Sequence, residues 1–213
     1  MKDIVIIGVG GFGREVAEAI KDVNKKRKTW RIKGFLDEDD KLYNKKINGY
    51  LVLGNLEWLK KNKDVYCVVA IGDPKTKEDI VNKVGENSGR FVSIIHPSVI
   101  MSDFVEIGEG TIICAGSILT TNIQIGKHVI INLNCTIGHD VKIGDYSSIM
   151  PDVSINGEDI IGESVYIGTN ASLKEAVEIG EKTVIGAGSV VINDMPKNVT
   201  AVGVPAKVIK KNQ

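Results

Sequence analysis

An aliphatic residue at every sixth position dominates the pattern of hydrophobic and polar residues between residues 95 and 191. The positions are Ile95, Met101, Ile107, Ile113, Leu119, Ile125, Ile131, Ile137, Ile143, Ile149, Ile155, Ile161, Ile167, Leu173, Ile179, Ile185 and Val191. A six-residue period matches neither the 3.6-residue repeat of an α-helix nor the alternation of an isolated strand. It is typical of a hexapeptide β-solenoid, in which each repeat buries its apolar side chain against the repeats above and below.

The residues around each aliphatic position predict a short strand followed by a turn. Two residues earlier the chain places another residue suited to an interior, and the residue between is often polar, as in Val105-Glu106-Ile107. This is the alternation of a half-buried strand. The next residue is frequently Gly or Asn, which tolerate a positive φ, so we expect the tight corner there. Asp159 is an acid at an inward position, and we expect the wall to bulge at that point.

The first ninety residues have the alternating pattern of an α/β domain. Apolar segments predict strands at 2–8, 31–36 and 65–71, and apolar residues at helical spacing predict helices around 16–23 and 80–84. We expect a half-Rossmann α/β domain, a small parallel sheet with flanking helices, over residues 1–91. The solenoid is then expected over 92–195, and residues 196–213 are expected to form a tail that packs on it.

The first predicted strand ends in a glycine turn, Gly8-Val9-Gly10-Gly11-Phe12-Gly13, which fits the pattern GxGxxG. Asp37 follows roughly where a dinucleotide-binding fold has the acid that binds ribose. Ninety residues are enough for only half of the doubly wound sheet, so we expect a nucleoside diphosphate rather than a redox dinucleotide. The glycines would let backbone N–H groups and a helix N-terminus approach the phosphates.

Composition excludes some classes of function and leaves others open. The 27 basic and 27 acidic residues balance, so net charge favours neither nucleic acid nor membrane surface. Residues 1–91 carry 19 basic and 14 acidic side chains, which suits an anionic ligand or a solvated lysine-rich surface. Three cysteines without a CxxC motif, no signal peptide and no long apolar segment predict reduced thiols in a cytoplasmic protein.

The sequence contains three histidines that could take part in acid–base chemistry. His96 precedes a proline and His128 follows in a turn, so we expect the first to be structural and the second to be exposed. His139 comes at a predicted corner, where its side chain would point away from the core, and Asp140 is beside it. An imidazole titrates near neutral pH, and one held by a carboxylate suits a general base. No histidine pair has the spacing of metal ligands, and no metal is expected.

Nearly end to end, the chain resembles the bacterial hexapeptide acyltransferases that acetylate sugars for surface glycans. These are the nucleotide-linked 4-amino-sugar N-acetyltransferases and the sialic acid O-acetyltransferases. The resemblance is carried by Gly8-Val9-Gly10-Gly11-Phe12-Gly13-Arg14-Glu15, Gly34-Phe35-Leu36-Asp37, Ala70-Ile71-Gly72-Asp73, and Asn132 to Asp140 together with Val202-Gly203-Val204-Pro205-Ala206-Lys207. It implies a left-handed parallel β-helix, a homotrimer with active sites between subunits, acetyl-CoA in the groove between adjacent solenoids, and a nucleotide sugar on the N-terminal domain.

The same resemblance implies roles for individual residues. His139 would remove the proton as the sugar amine attacks the thioester, Asp140 would orient it, and the backbone N–H of Gly157 would contact the thioester carbonyl. The residues implied to bind the nucleotide sugar are Gly10, Gly11, Phe12, Gly13, Asp37, Gly72 and Asn132. Those implied to lie along coenzyme A are Ser148, Gly157, Gly186, Ala187 and Lys207. No acyl-enzyme is expected, because neither Cys114 nor Cys135 has a histidine adjacent in sequence, and Cys135 falls at an inward position, where it should be inert.

Two departures from the family pattern leave the details of the substrate open. Many relatives carry histidine where this chain has Phe12, and some carry a second histidine where it has Ser148. The identity of the sugar and the contacts to the thioester therefore stay open, whereas the expected base is unaffected.

Three alternatives to N-acetylation remain at this point. O-acetylation of sialic acid or a related sugar would use the same fold and base with a hydroxyl nucleophile. A solenoid that serves only as an assembly scaffold would turn over no thioester. A redox enzyme would use the glycine turn to bind NADH.

Overall fold

The computed structural model describes residues 1–85 and 90–212. The chain divides into two compact units, Met1–Pro97 and Ser98–Gln213. The first unit extends beyond the expected boundary at 91, because the short strand Ile94–Ile95 contacts the first helix. None of the helices in the described part of the chain is long and apolar enough to cross a membrane.

Unit 1 is built on a four-stranded parallel sheet. Its elements in chain order are β1 (Lys2–Ile7), α1 (Gly11–Lys26), β2 (Trp30–Leu36), a 3-10 turn (Asp40–Leu42), β3 (Lys46–Ile47), β4 (Tyr50–Leu51), α2 (Glu57–Lys61), β5 (Tyr66–Val69), α3 (Pro74–Gly85), β6 (Arg90–Phe91) and β7 (Ile94–Ile95). The sheet order is β2-β1-β5-β6. The predicted strands and helices are confirmed. The β3–β4 hairpin and α2 were not expected, because elements of two to five residues leave no clear periodicity.

Helix α1 packs through a single apolar stripe. Its buried residues Gly13, Val16, Ala17 and Ile20 recur at intervals of three and four, so they lie on one face of the helix. Lys25 and Lys26 lie in the last turn, where positive charge is favourable near the free carbonyl groups. This helix begins at Gly11, within the Gly8–Gly13 motif, and therefore brings its N-terminus to the end of β1.

Unit 2 is a parallel β-solenoid of about six turns, which confirms the predicted architecture. Its strands are β8 (Ile100–Met101), β9 (Val105–Ile107), β10 (Ile112–Ile113), β11 (Ile118–Leu119), β12 (Ile123–Ile125), β13 (Ile130–Ile131), β14 (Thr136–Ile137), β15 (Lys142–Ile143), β16 (Ser148–Ile149), β17 (Ser154–Ile155), β18 (Ile160–Ile161), β19 (Tyr166–Ile167), β20 (Ser172–Leu173), β21 (Glu178–Ile179), β22 (Val184–Ile185), β23 (Val190–Val191), β24 (Val199–Gly203) and β25 (Ala206–Lys211).

The strands of unit 2 form three faces, because the chain visits each face once per 18 residues. The first face runs β10-β13-β16-β19-β22-β24-β25, the second runs β8-β11-β14-β17-β20-β23, and the third runs β9-β12-β15-β18-β21. Register is in phase along each face, as in Ile112 opposite Ile130 and Ile130 opposite Ser148. In the tail, β24 pairs parallel to β22 and β25 pairs antiparallel to β24.

The core of the solenoid is the ladder of aliphatic residues identified in the sequence. From Ile113 to Val191 every sixth residue is buried, and so is the residue two positions before each of them. Met101 is 43% exposed, because its coil is at the end of the stack. The expected bulge at Asp159 is absent. Instead β18 keeps its register with β15 and β21, and Asp159 is completely buried.

The corners correct one expectation about glycine. From Ile107 to Ile185, positive φ occurs three residues after the aliphatic position rather than one. The non-glycine residues there are Asn122, His128, Asn134, Asp140, Tyr146, Asp152, Glu158, Ser164, Asn170, Ala176 and Lys182. The glycines one residue after the aliphatic position have a different cause. A Cβ at Gly108 would lie 2.4 Å from the carbonyl carbon of Gly126, and one at Gly138 would lie 2.6 Å from the nitrogen of Gly157. The next coil passes too close for any side chain.

Candidate functional site

Each corner of the solenoid is a column of turns stacked along the axis, and we name each by one residue. The His128 corner comprises 108–111, 126–129, 144–147, 162–165 and 180–183. The Asn132 corner comprises 114–117, 132–135, 150–153, 168–171 and 186–189. The His139 corner comprises 120–122, 138–141, 156–159 and 174–177.

His139 presents its ring to solvent at its corner. Its side chain is 57% exposed, and Nδ1 lies 2.8 Å from Oδ2 of Asp140. An ionised carboxylate only accepts hydrogen bonds, so Nδ1 carries the proton and donates it. In the neutral ring the lone pair is therefore on Nε2, which is the nitrogen that could accept a proton from a substrate.

Asp140 is held in place by its backbone and by a second side chain. Its φ is +60°, and Asn122, one coil earlier at the same corner position, donates from Nδ2 to Oδ1 at 3.2 Å. The hydrogen bond from His139, and then that from Asn122, lower the pKa of Asp140 below its usual value. Asp140 is therefore ionised at neutral pH and orients the imidazole. Asn122 is a member of the site that the sequence analysis did not include.

Gly157 lies directly against the His139 ring. A Cβ built on Gly157 would be 2.6 Å from both Cε1 and Nε2 of the imidazole. The backbones of the two coils are also joined, since the N–H of Glu158 donates to the carbonyl of His139 at 2.8 Å. Three of the predicted residues, His139, Asp140 and Gly157, are therefore together at one corner.

Three other predicted residues lie on a different corner. Asn132, Gly186 and Ala187 all belong to the Asn132 corner. Asn132 is buried, and its Oδ1 accepts from the N–H of Leu133 at 2.8 Å. A Cβ at Gly186 would lie 2.6 Å from Cγ1 of Val202, so packing against the tail accounts for this glycine. Within one chain these residues and His139 are on separate edges of the solenoid.

The last two predicted coenzyme contacts differ in exposure. Lys207 lies on β25 and is exposed. Ser148 lies on β16 and is completely buried, so the isolated chain gives it no surface with which to contact a ligand. The predicted role of Ser148 therefore has no support from its position.

In unit 1 the glycine turn and Gly72 meet at one edge of the sheet. The chain goes from β1 to β2 on one side and later to β5 on the other, so the carboxyl ends of β1 and β5 form the switch point where such sheets bind ligands. A Cβ at Gly13 would lie 1.9 Å from the carbonyl oxygen of Gly8, which requires glycine for helix–strand packing. Nothing lies within 4 Å of a Cβ at Gly10 or Gly72, so open space adjoins both.

Asp37 anchors the glycine turn. Its Oδ2 accepts from the N–H of Val9 at 3.0 Å, and its Oδ1 accepts from the N–H of Asp39 at 3.1 Å. Gly11 is exposed at the start of α1, and Phe12 follows it there and is half-buried. The predicted contact of Asp37 with a ribose stays a prediction, and the structure adds a role in shaping the turn.

The structure agrees with the roles predicted for His96 and Cys135 but not with the exposure predicted for His128. Nε2 of His96 lies 3.2 Å from Oδ2 of Asp22, in keeping with a structural role. The expectation that His128 is exposed is wrong. It is only 4% exposed, and its ring stacks on Tyr146 with centroids 5.6 Å apart. Cys135 is buried, and burial raises the pKa of its thiol to about 11, which leaves it protonated and unreactive.

Sequence reasoning also missed Lys77, in the first turn of α3. Its side chain is only 1% exposed. Burial lowers its pKa to about 7, and the charge of Asp73 opposes that shift. Lysine side chains are rarely buried in proteins, so nothing in the sequence indicated that this one would be. The described residues contain no group of three or more His, Cys, Asp or Glu side chains arranged to hold a metal ion.

Two family models match the chain, and they fall on different units. The model described as the PglD N-terminal domain matches residues 3–84. The model described as the bacterial transferase hexapeptide (six repeats) matches residues 160–193.

Several solved structures match over nearly the whole chain, among them the following two. WeeI from Acinetobacter baumannii AYE is 32% identical, with a TM-score of 0.88, over 98% of this chain and 100% of that one. A mutant perosamine N-acetyltransferase from Caulobacter crescentus, in complex with CoA and GDP-perosamine, is 30% identical, with a TM-score of 0.91, over 99% and 98%. The chain belongs to the bacterial hexapeptide-repeat sugar acetyltransferases.

Among the members of this sugar acetyltransferase family, the UDP-N-acetylbacillosamine N-acetyltransferase of Bacillus subtilis (strain 168) is 33% identical over 126 residues. That match covers 54% of this chain and 52% of the relative. The chain thus spans about half the length of the curated relatives it matches.

Proposed function

We propose that this chain is an acetyl-CoA-dependent N-acetyltransferase that acts on the amino group of a nucleotide-linked amino sugar in surface glycan biosynthesis. The observation that carries the proposal is the exposed imidazole of His139, whose Nδ1 is held by Asp140 and whose Nε2 is available to accept a proton. A related protein of the same family binds CoA and GDP-perosamine, which are a coenzyme and an amino-sugar nucleotide of the required kinds.

The chemistry assigns one proton transfer to His139. As the sugar amine attacks the carbonyl carbon of the thioester, Nε2 takes a proton from the nitrogen, and a new C–N bond forms. The carbonyl oxygen gains negative charge, which a backbone N–H such as that of Gly157 would stabilise. The C–S bond then breaks, coenzyme A leaves as the thiolate, and the imidazolium returns a proton to it or to water. Asp140 keeps the ring in the tautomer that this sequence requires.

Positioning of the two substrates would supply much of the acceleration. Holding the amine next to the thioester makes a bimolecular reaction effectively intramolecular. The open switch point of unit 1, next to Gly10 and Gly72, suits the diphosphate of the acceptor. Acetyl-CoA and nucleotide sugars are cytoplasmic metabolites, and the proposal places the enzyme there.

The proposal includes a homotrimer with active sites between protomers. His139 lies on one corner of the solenoid, whereas Gly186 and Ala187, the expected coenzyme contacts, lie on another. One protomer cannot bring two edges of its own prism together. A neighbouring protomer can supply the second edge, so the separation of these residues supports a shared site.

The test is thioester turnover with a panel of acceptors. The protein is incubated with acetyl-CoA and with UDP-, GDP- and dTDP-linked amino sugars, and release of the coenzyme A thiol is followed. We expect turnover with one or more amino sugars and none with their N-acetylated forms, because only a free amine can attack. Turnover confined to free or CMP-linked sialic acid would replace the proposal with O-acetylation. No thioester turnover and no thermal stabilisation by acetyl-CoA would favour a scaffold, and stabilisation by NADH above UDP or GDP would favour a redox enzyme.

A further inference from the structure

Inward hydroxyl groups at several corners of the solenoid make the same pair of hydrogen bonds to the following coil. Ser147 donates from Oγ to the carbonyl of Gly162 at 2.8 Å and accepts from the N–H of Val165 at 3.1 Å. A hydroxyl can do both because it is donor and acceptor at once. The side chains that repeat this arrangement are Thr111, Ser117 and Thr183.

Asp159 occupies the equivalent inward position but bonds differently. Its Oδ1 accepts from the N–H of Val177 at 2.9 Å, as the hydroxyls do with the following coil. A carboxylate has no proton to donate to a carbonyl of that coil. Its second oxygen, Oδ2, instead accepts from the N–H of Asn156 at 3.0 Å, within its own turn. Asp159 therefore clamps the turn 156–159 from the inside.

That turn is the one on which the His139 ring lies. Asn156 is held on its other side by a hydrogen bond from its Nδ2 to the carbonyl of Leu173 at 2.8 Å. Gly157 follows, and it is so close to the imidazole that a methyl group there would overlap Nε2. A small shift of the Asn156–Gly157 backbone would consequently move the ring or leave a gap beneath it.

We propose that Asp159 is a positioning residue for His139: its buried carboxylate fixes the Asn156–Gly157 turn and thereby sets the orientation of the imidazole. This inference rests on the proposed function. A charged group at an inward position is costly, because desolvation disfavours the carboxylate. Burial raises the pKa of Asp159 to about 6, against the two backbone hydrogen bonds that lower it. At equivalent inward positions Thr111 and Thr183 make their hydrogen bonds without a buried charge.

The kinetic test compares two substitutions at Asp159 with one at a matched corner. Asp159→Thr supplies a hydroxyl like those of Thr111 and Thr183, which can accept from the N–H of Val177, but it removes the bond to Asn156. Asp159→Asn keeps the shape but has one acceptor oxygen for two N–H groups, so its amide donor faces the N–H of either Asn156 or Val177. We expect kcat to fall by about 10- to 100-fold in both, with KM for both substrates changed by less than about twofold, because the ring is displaced and substrate binding is not. The control is Ser147→Ala, which breaks the same inward bonds at the His128 corner and should retain wild-type kcat.

A second measurement is independent of catalysis. In protein labelled with 13C-histidine, the Cε1–H resonances of the three histidines are recorded, and that of His139 is identified by its absence in His139→Ala. We expect Asp159→Thr to shift the His139 resonance and to leave those of His96 and His128 in place. A shift in His139 supports the positioning role even if wild type transfers no acetyl group, in which case only the proposed function fails. An unshifted His139 resonance, or wild-type kcat in Asp159→Thr, would overturn the inference.

Discussion

Two histidines in this protein lie two hexapeptide repeats apart and have opposite environments. His139 comes two residues after the aliphatic residue of its hexad, and His128 comes three residues after its own. His139 is largely exposed and bonded to Asp140, whereas His128 has a φ of +54° and is buried against Tyr146. One imidazole is thus a candidate base and the other a structural ring.

The difference follows from the geometry of a stacked turn. At the second position of the His128 corner the residues are Glu109, Lys127, Asp145, Glu163 and Glu181, all of them charged. Glu109, Lys127 and Glu163 are exposed at that position. At the third position, the ring of His128 lies along the column of turns, where a Cβ on Gly110 would be 2.2 Å from its Nδ1. Packing between Gly110 and Tyr146 therefore buries His128, since Asn134 and Lys182 are exposed at the same third position of other turns.

The largest expected effect separates the two rings by activity. His139→Ala should lower kcat by about 10²- to 10⁴-fold, the contribution of a general base, with acetyl-CoA binding retained. His128→Asn, which tolerates the positive φ, should leave kcat within about twofold of wild type. Steady-state release of coenzyme A measures both. Equal losses in the two variants would remove the distinction between the corners.

The next effect probes the surface beneath the His139 ring. Gly157→Ala should lower kcat by about 10- to 100-fold, because the new methyl group displaces the imidazole from its position. The control is Glu175→Ala, one coil further along the same corner, where the side chain is exposed. Wild-type kcat in Gly157→Ala would show that the ring need not rest on residue 157.

A smaller effect concerns the pH dependence of stability. The folded-state pKa of Asp159, about 6, lies above its ordinary value of 3.8, so the folded chain binds the proton more tightly. The stabilisation that comes from this tighter proton binding is fully present below pH 3.8 and is lost as the pH rises through about 6. Relative to Asp159→Thr, wild type should gain about 1 kcal/mol between pH 7 and pH 5. Urea unfolding at the two pH values measures this difference, and parallel behaviour of the two proteins would contradict it.

The smallest effect is the structural contribution of His128. His128→Asn should lower the free energy of unfolding by about 1 kcal/mol, the order of a lost stacked pair with Tyr146. Denaturant unfolding measures it, with His139→Ala as the control that should leave stability nearly unchanged. A larger loss of stability in His139→Ala than in His128→Asn would reverse the structural side of the comparison.

The sequence was sufficient for the solenoid, because a buried ladder leaves a strict period that loops and exposed residues do not obscure. It also placed His139 and Asp140 at a corner, since the count from Ile137 determines their position. It could not show why Gly138 is glycine, because the constraint is the backbone of Gly157 in the following coil. Contacts across 18 residues have no local signal.

The same limit explains the misplacement of His128 and the omission of Asn122. The burial of His128 depends on Gly110 and Tyr146, each one coil away, and Asn122 reaches Asp140 from the coil before. Asp159 was noticed as a misfit, but its bond to the N–H of Asn156 requires the folded turn. In unit 1 the glycine pattern predicted the turn, whereas the anchoring of Val9 by Asp37 depends on the parallel pairing of β1 and β2.

The most direct test of the account is a crystal structure with a bisubstrate analogue, in which coenzyme A is joined through the acetyl carbon to the amino nitrogen of the accepted nucleotide sugar. The account predicts that the sugar nitrogen lies within hydrogen-bond reach of Nε2 of His139, about 2.6–3.2 Å. A sugar nitrogen bound beyond the reach of His139, or placed against another base, would contradict it.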